Sequence, residues 1–256
     1  MKQRGKTSTG GSQEAFPATH WSVILQAESL EKPERRQVAD QLIQDYWKPV
    51  YCYLRRKGYP NETAKDLTQG FFHEIFLGRE LTERAHPEKG RFRTFLLTAL
   101  DRYVIDVYRK EKAVKRSAGR SRIDFDMRAL SLIPEDQSVA PPDQVFHYAW
   151  ATALLDQVLS QVRQKCSDLG KEIHWQVFEA RVLTPIMTGE TAPSMTEICT
   201  RFGIPTESQG SNMIVTVKRR MRRAVRDALG QQVECDADIE AEIQDLIEIL
   251  ADPGAI

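Results

Sequence analysis

SMTEICTRFGIPTESQGSNMIVTVKRRMRRAVRDAL, Ser194 to Leu229, is the stretch on which the reading of the chain turns. Ser194 and Glu197 have the S-x-x-E spacing of a capping box, in which hydroxyl and carboxylate satisfy backbone donors reciprocally at a helix start. A short helix is therefore expected there, with Met195, Ile198 and Phe202 turned inward. It should stop at Gly203, which tolerates positive φ. Ile204 and Pro205 complete a turn, and Thr206 with Gln209 gives a second capping signal for a long helix to about Leu229. On that helix Met213, Val217, Met221, Ala224 and Ala228 share one face, and Lys218, Arg219, Arg222 and Arg226 cluster on the other. A short helix, a glycine turn and a second helix make a helix-turn-helix, whose second helix enters the major groove of DNA. The cations would neutralise phosphates, while Ser211, Asn212 and Val215, near the helix start, would meet base edges. The plainer alternative is a solvated face on a structural helix. Five arginines and one lysine between Lys218 and Arg226 exceed what solubility needs, with few acids nearby to pair them.

Charge supports more than one anionic contact. The net charge of zero sums blocks of opposite sign. From Asp101 to Arg122 eight basic residues stand against three acids, and from Arg201 to Leu229 seven stand against two. From Glu234 to the end there are eight acids and no base. Two basic blocks far apart in the chain suggest two contacts with a polyanion.

The remaining ordered stretches have helical period and lack the alternation of strands, so the fold class expected is all-α. Helices are expected from Thr19 (with Trp21, Ile24 and Leu25 buried), over 35–57 with a kink at Pro49, over 62–78, over 92–112, over 143–166 and over 171–183. Residues 113–142 turn from basic to acidic and end in Pro141 and Pro142, as an interdomain linker does. The organisation expected is a disordered segment 1–14, a helical domain 15–112, a flexible linker, a helix-turn-helix domain 143–230 and an acidic amphipathic helix within 231–256. No stretch approaches the roughly 20 apolar residues of a membrane span, and the first residues lack a signal peptide's apolar region, so a cytoplasmic protein without membrane contact is expected. Cys52, Cys166, Cys199 and Cys235 lie far apart, as do the histidines, and no catalytic or metal cluster is legible.

Two further stretches carry a resemblance. Asp66-Leu-Thr-Gln69-Gly-Phe-Phe72 resembles the D-x-x-Q-E-x-F core of region 2.2 in RNA polymerase sigma factors, which docks on the clamp helices of the polymerase β′ subunit. Gly90 to Lys110 is similar to regions 2.3 and 2.4, which melt and read the minus-ten element, and the helix-turn-helix is similar to region 4.2, reader of the minus-35 element. In this order the stretches resemble a sigma-70 family factor of the extracytoplasmic-function type, over about 16–229. Phe16-Pro-Ala-Thr-His-Trp21-Ser is similar to a feature of a group common in planctomycete-like bacteria. The resemblance implies polymerase docking through Asp66, Gln69, Phe72, His73 and Phe76, and minus-ten contacts through Arg102, Tyr103, Arg109 and Lys110. Minus-35 contacts fall to Ser211, Asn212, Val215, Lys218, Arg219, Arg222 and Arg226. It implies core RNA polymerase (β′ clamp helices and β flap) and promoter DNA as partners, an anti-sigma factor as a further candidate, a monomer when free, no cofactor, and no catalysis by the chain itself.

Two departures and one addition accompany it. Gly70 stands where the family has glutamate, and the turn from Gly203 to Ser211 is longer than in ordinary members, which leaves the base-reading register open. Ile239, Ile243, Leu246, Ile247 and Leu250 form an apolar stripe on an otherwise acidic terminal helix. Either that helix packs on the second domain, or it folds against the basic recognition helix and restrains DNA binding. A helix-turn-helix regulator that never joins polymerase remains the alternative function, and the Asp66–Phe72 face distinguishes the two.

Overall fold

In the computed structural model the described residues are 32–77, 91–117, 140–230 and 236–251, and they are helical with no strand among them. The helix expected at Thr19 lies outside them. Helix α1 (Lys32–Arg56) runs unbroken through Pro49, and α2 (Asn61–Leu77) follows a turn at Gly58. Next come α3 (Phe92–Ser117) and α4 (Pro142–Asp168). Helix α5 (Glu172–Phe178) widens into a π-helical turn over Glu179–Leu183, where Thr184 N–H bonds to Glu179 C=O, and continues as α6 (Thr184–Thr188). Pro185, without an N–H, sits at that junction. Helices α7 (Met195–Phe202), α8 (Glu207–Gly230) and α9 (Asp236–Ala251) complete the chain.

The helix expected to open a second domain, α4, packs most extensively along α1. Phe146 of α4 stacks on Tyr46 at 6.4 Å and meets Tyr53 edge-on at 6.3 Å. Arg56 Nε donates to Ala140 C=O at 2.8 Å, joining the end of α1 to the start of α4. The buried apolar residues form one continuous cluster that runs from Leu42 and Tyr46 through Trp150 and Val158 to Val217 and Leu246. Helix α3 joins it through Phe92, 5.4 Å from Tyr46, and through Asp101, which accepts from Tyr53 Oη at 2.8 Å and pairs with Lys57 at 2.5 Å.

Gly70 is explained by what faces it. A β-carbon there would lie 3.3 Å from Tyr103 Cζ and within van der Waals overlap of its hydroxyl. Tyr103 is half-buried against Phe71, at 5.7 Å, so its ring has little room to retreat. Gly70→Ala should therefore destabilise by about 1–3 kcal/mol through overpacking, despite a helix-propensity gain of up to about 1 kcal/mol. Tyr103→Phe removes the clashing oxygen and should recover most of the loss, which urea unfolding of the two single variants and the double variant will show as a coupling energy.

Where α1, α3, α4 and α9 meet, the guanidinium of Arg93 lies over the Trp150 ring at 4.5 Å and pairs with Glu242 and Asp245 of α9. His147, one residue from Phe146, faces the same cluster. Its Nδ1 is buried without a hydrogen-bond partner among the described residues. Burial, then Arg93, push its pKa down to about 4, with Asp143 opposing and Arg91 adding to the depression. The folded chain thus holds His147 neutral where an unfolded chain would take up a proton, so stability falls as pH drops from about 6.5 to about 4. In His147→Gln that component is absent. Urea midpoints at the two ends of the window should differ less in the variant than in the parent, and equal differences would remove His147 as the cause.

Candidate nucleic-acid interface

The capping box at Ser194 is formed: Glu197 N–H donates to Ser194 Oγ at 3.2 Å, and Ser194 N–H donates to Glu197 Oε2 at 2.7 Å. These bonds to Ser194 hold the exposed Glu197 carboxyl below its ordinary pKa. Gly203 ends α7 at φ 65°, and Ile204 is buried in the turn, its N–H bonded to Cys199 C=O at 2.9 Å. Thr206 Oγ1 accepts from Gln209 N–H at 3.3 Å, so α8 begins at Glu207 and the last residues of the expected long turn, from Glu207 to Ser211, are helical. Thr196 Oγ1 donates to Glu207 Oε1 at 2.5 Å and ties the two helices.

Gly210 was not singled out in the sequence, yet it fixes how closely the helices approach. It is buried, and a β-carbon there would meet Met195 Sδ at 3.0 Å and Cys199 Sγ at 3.5 Å. A glycine in the first turn of a strong helix was the available signal, because such a position is unfavourable unless a neighbouring helix comes close. Ile198, Ile204, Ile214 and Val217 bury together, and α8 packs on α5 and α4. Ile214 and Leu229 join the expected apolar face, with Met213, Met221 and Ala228 at its borders.

The opposite face of α8 is open. Ser211 and Asn212 are exposed, Val215 is 51% exposed, and Lys218, Arg219 and Arg222 project outward with no ion-pair partner among the described residues. Arg223 is paired loosely with Asp227 at 3.8 Å. Arg226 pairs with Glu240 of α9. Arg220 turns inward, where its Nη1 donates to Cys166 Sγ at 3.1 Å.

On α3, Arg102, Arg109 and Lys110 are exposed, with Arg109 near Asp106 at 3.5 Å. Tyr103 instead packs toward α2, and burial raises its pKa. On α2, Asp66, Gln69 and His73 are exposed along one side. Phe72 is 2% exposed and stacks on Trp47 at 6.1 Å, so it belongs to the core beneath that face rather than to its rim. Phe76 lies on the last turn of α2, its side chain outside the described residues, as are Lys115, Arg116 and Cys235. Among the described residues no group of His, Cys, Asp and Glu is placed to hold a metal ion, and no helix is long and apolar enough to cross a membrane.

Helix α9 brings Glu242, whose side chain is 4% exposed, against Arg93 at 3%. Arg91 Nε reaches Glu242 at 2.9 Å, and Arg93 Nη2 reaches Asp245 at 2.5 Å; Arg91 also pairs with Asp245. These contacts join residues about 150 positions apart in sequence, on the faces of two helices that no local pattern relates.

Replacing Gly210 separates two outcomes. Gly210→Ala asks only for a small retreat of the flexible Met195 and should stay within about 1 kcal/mol of the parent. Gly210→Leu must wedge α7 from α8 and should lose about 1–3 kcal/mol, read from thermal or urea unfolding. Compared with protein-family models, with curated proteins and with solved structures, the chain finds no match.

Proposed function

We propose that this chain is a sigma factor: a non-catalytic subunit that binds core RNA polymerase through α2 and directs it to promoters, with α3 meeting the minus-ten element and α8 the minus-35 element. The observation that carries the DNA-binding part is the row Lys218, Arg219 and Arg222, exposed and without acidic partners among the described residues, on a helix held by α7 in helix-turn-helix geometry. Three fixed cations on one helix face are matched to the phosphates that flank a major groove. Support for the polymerase part is the exposed polar side Asp66, Gln69 and His73 on a helix anchored beneath by Phe71 and Phe72. Such a surface can be read by a partner without unfolding the core.

A helix-turn-helix regulator that never joins polymerase is the second reading. The burial of Phe72 favours it, since it removes from that face one aromatic anchor of the kind that dominates stable interfaces.

Each of Lys218→Ala, Arg219→Ala and Arg222→Ala should weaken duplex binding across all sequences and lower the slope of log affinity against log salt by about 1. Asp66→Ala with Gln69→Ala should leave that slope unchanged and abolish retention on core polymerase. In vitro transcription from a promoter library with core polymerase tests the whole reading. DNA binding without retention or transcription by the parent chain would select the regulator.

A further inference from the structure

The described carboxylates of α9 leave most of the basic face of the recognition helix open. Lys218, Arg219 and Arg222 stay exposed, and among the described residues Arg226 is the one cation assigned to that face that pairs with α9, through Glu240. The main pairing is with the start of α3, where Arg91 and Arg93 each engage both Glu242 and Asp245. The same helix packs on α4 and α8, with Leu246 buried and Ile239, Ile243 and Leu250 against the core. A single 16-residue helix thereby fastens the element assigned to one DNA contact to the element assigned to the other.

We propose that α9 is an intramolecular latch: the Arg91/Arg93–Glu242/Asp245 pairs hold α3 and α8 in one closed body that cannot engage two separated DNA sites at once. The inference rests on the DNA-binding reading above. Its physical basis is reach. Elements at minus ten and minus 35 are about 25 base pairs apart, roughly 85 Å along a duplex. The 180 described residues, packed about one core, have a radius of gyration of about 16 Å and span roughly 41 Å. Bridging that distance requires α3 and α8 to part, and α9 is bonded to both. The shared core of α1 and α4 resists separation as well, but its contacts are apolar and buried. The latch is ionic, and Arg91 is 40% exposed, so a competing anion can reach it.

The test uses the full chain carrying Glu242→Gln and Asp245→Asn. Glu190→Gln with Glu248→Gln serves as a control of equal charge change at exposed sites. Affinity is measured for random-sequence duplexes of about 60 and about 15 base pairs, roughly 200 and 50 Å long at 3.4 Å per pair. Opening should raise affinity for the long duplex about tenfold over the control, by allowing both basic helices to bind, and leave the short duplex near the control. Amides of α9 should exchange with solvent faster in the same variant. Equal gains on both lengths, or α9 amides as protected as in the parent, overturn the latch while DNA binding stands. If no chain binds either duplex, the proposed function falls and the latch with it. Should the variant fail to fold, the parent decides: its α9 amides must lose protection when saturated with the long duplex, and unchanged protection with DNA bound overturns the inference.

Discussion

The guanidinium of Arg93 is the point on which the arrangement of helices depends. It is almost wholly buried, it lies over the ring of Trp150 of α4, and its donors are met by two carboxylates of α9. A buried cation is tolerated only where such partners are complete, and removing one partner of a buried pair costs about 3–5 kcal/mol because the other charge stays unpaired. Burial lowers the pKa of Arg93 and Glu242 counters it. Parting α3 from α9 therefore strands a buried charge unless another anion takes the place of the carboxylates.

Around that point the chain is packed by close approach. Gly70 lets Tyr103 reach the backbone of α2, and Gly210 lets Met195 and Cys199 reach α8. Both glycines lie inside helices, where they weaken local propensity, and both return the loss as contact with a neighbouring helix. Gly70 takes on a structural meaning here: the place a side chain would take is occupied by a phenol from α3.

The parts legible in the sequence were those governed by neighbours within one helical turn. The capping box at Ser194, the positive φ of Gly203, the cap at Thr206 and the two faces of α8 all follow from residues three or four positions apart. Element bounds were legible for the same reason, with α2 and α8 placed to within a few residues. What escaped was set by contacts distant in sequence. Phe72 has a spacing compatible with a surface, and its contact with Trp47, 25 positions earlier, shows it turned inward. The packing of α4 along α1 crosses the compositional break at 113–142, and nothing local reports it. The acidic helix was recognised by its stripe, but Arg91 and Arg93 as its partners lie about 150 residues away.

The acidic helix also changes what the chain's neutrality means. Its carboxylates act as tethered counterions, present at an effective concentration set by the length of chain that connects them rather than by the buffer. An external anion reaching Arg91, Arg93 or Arg226 must therefore displace a carboxylate that is already in place, whatever the buffer contains. Lys218, Arg219 and Arg222, which α9 leaves open, retain an ordinary ion atmosphere. A single polypeptide thus carries two electrostatic regimes: one surface tuned by the ionic strength around it, and one set by its own covalent chain.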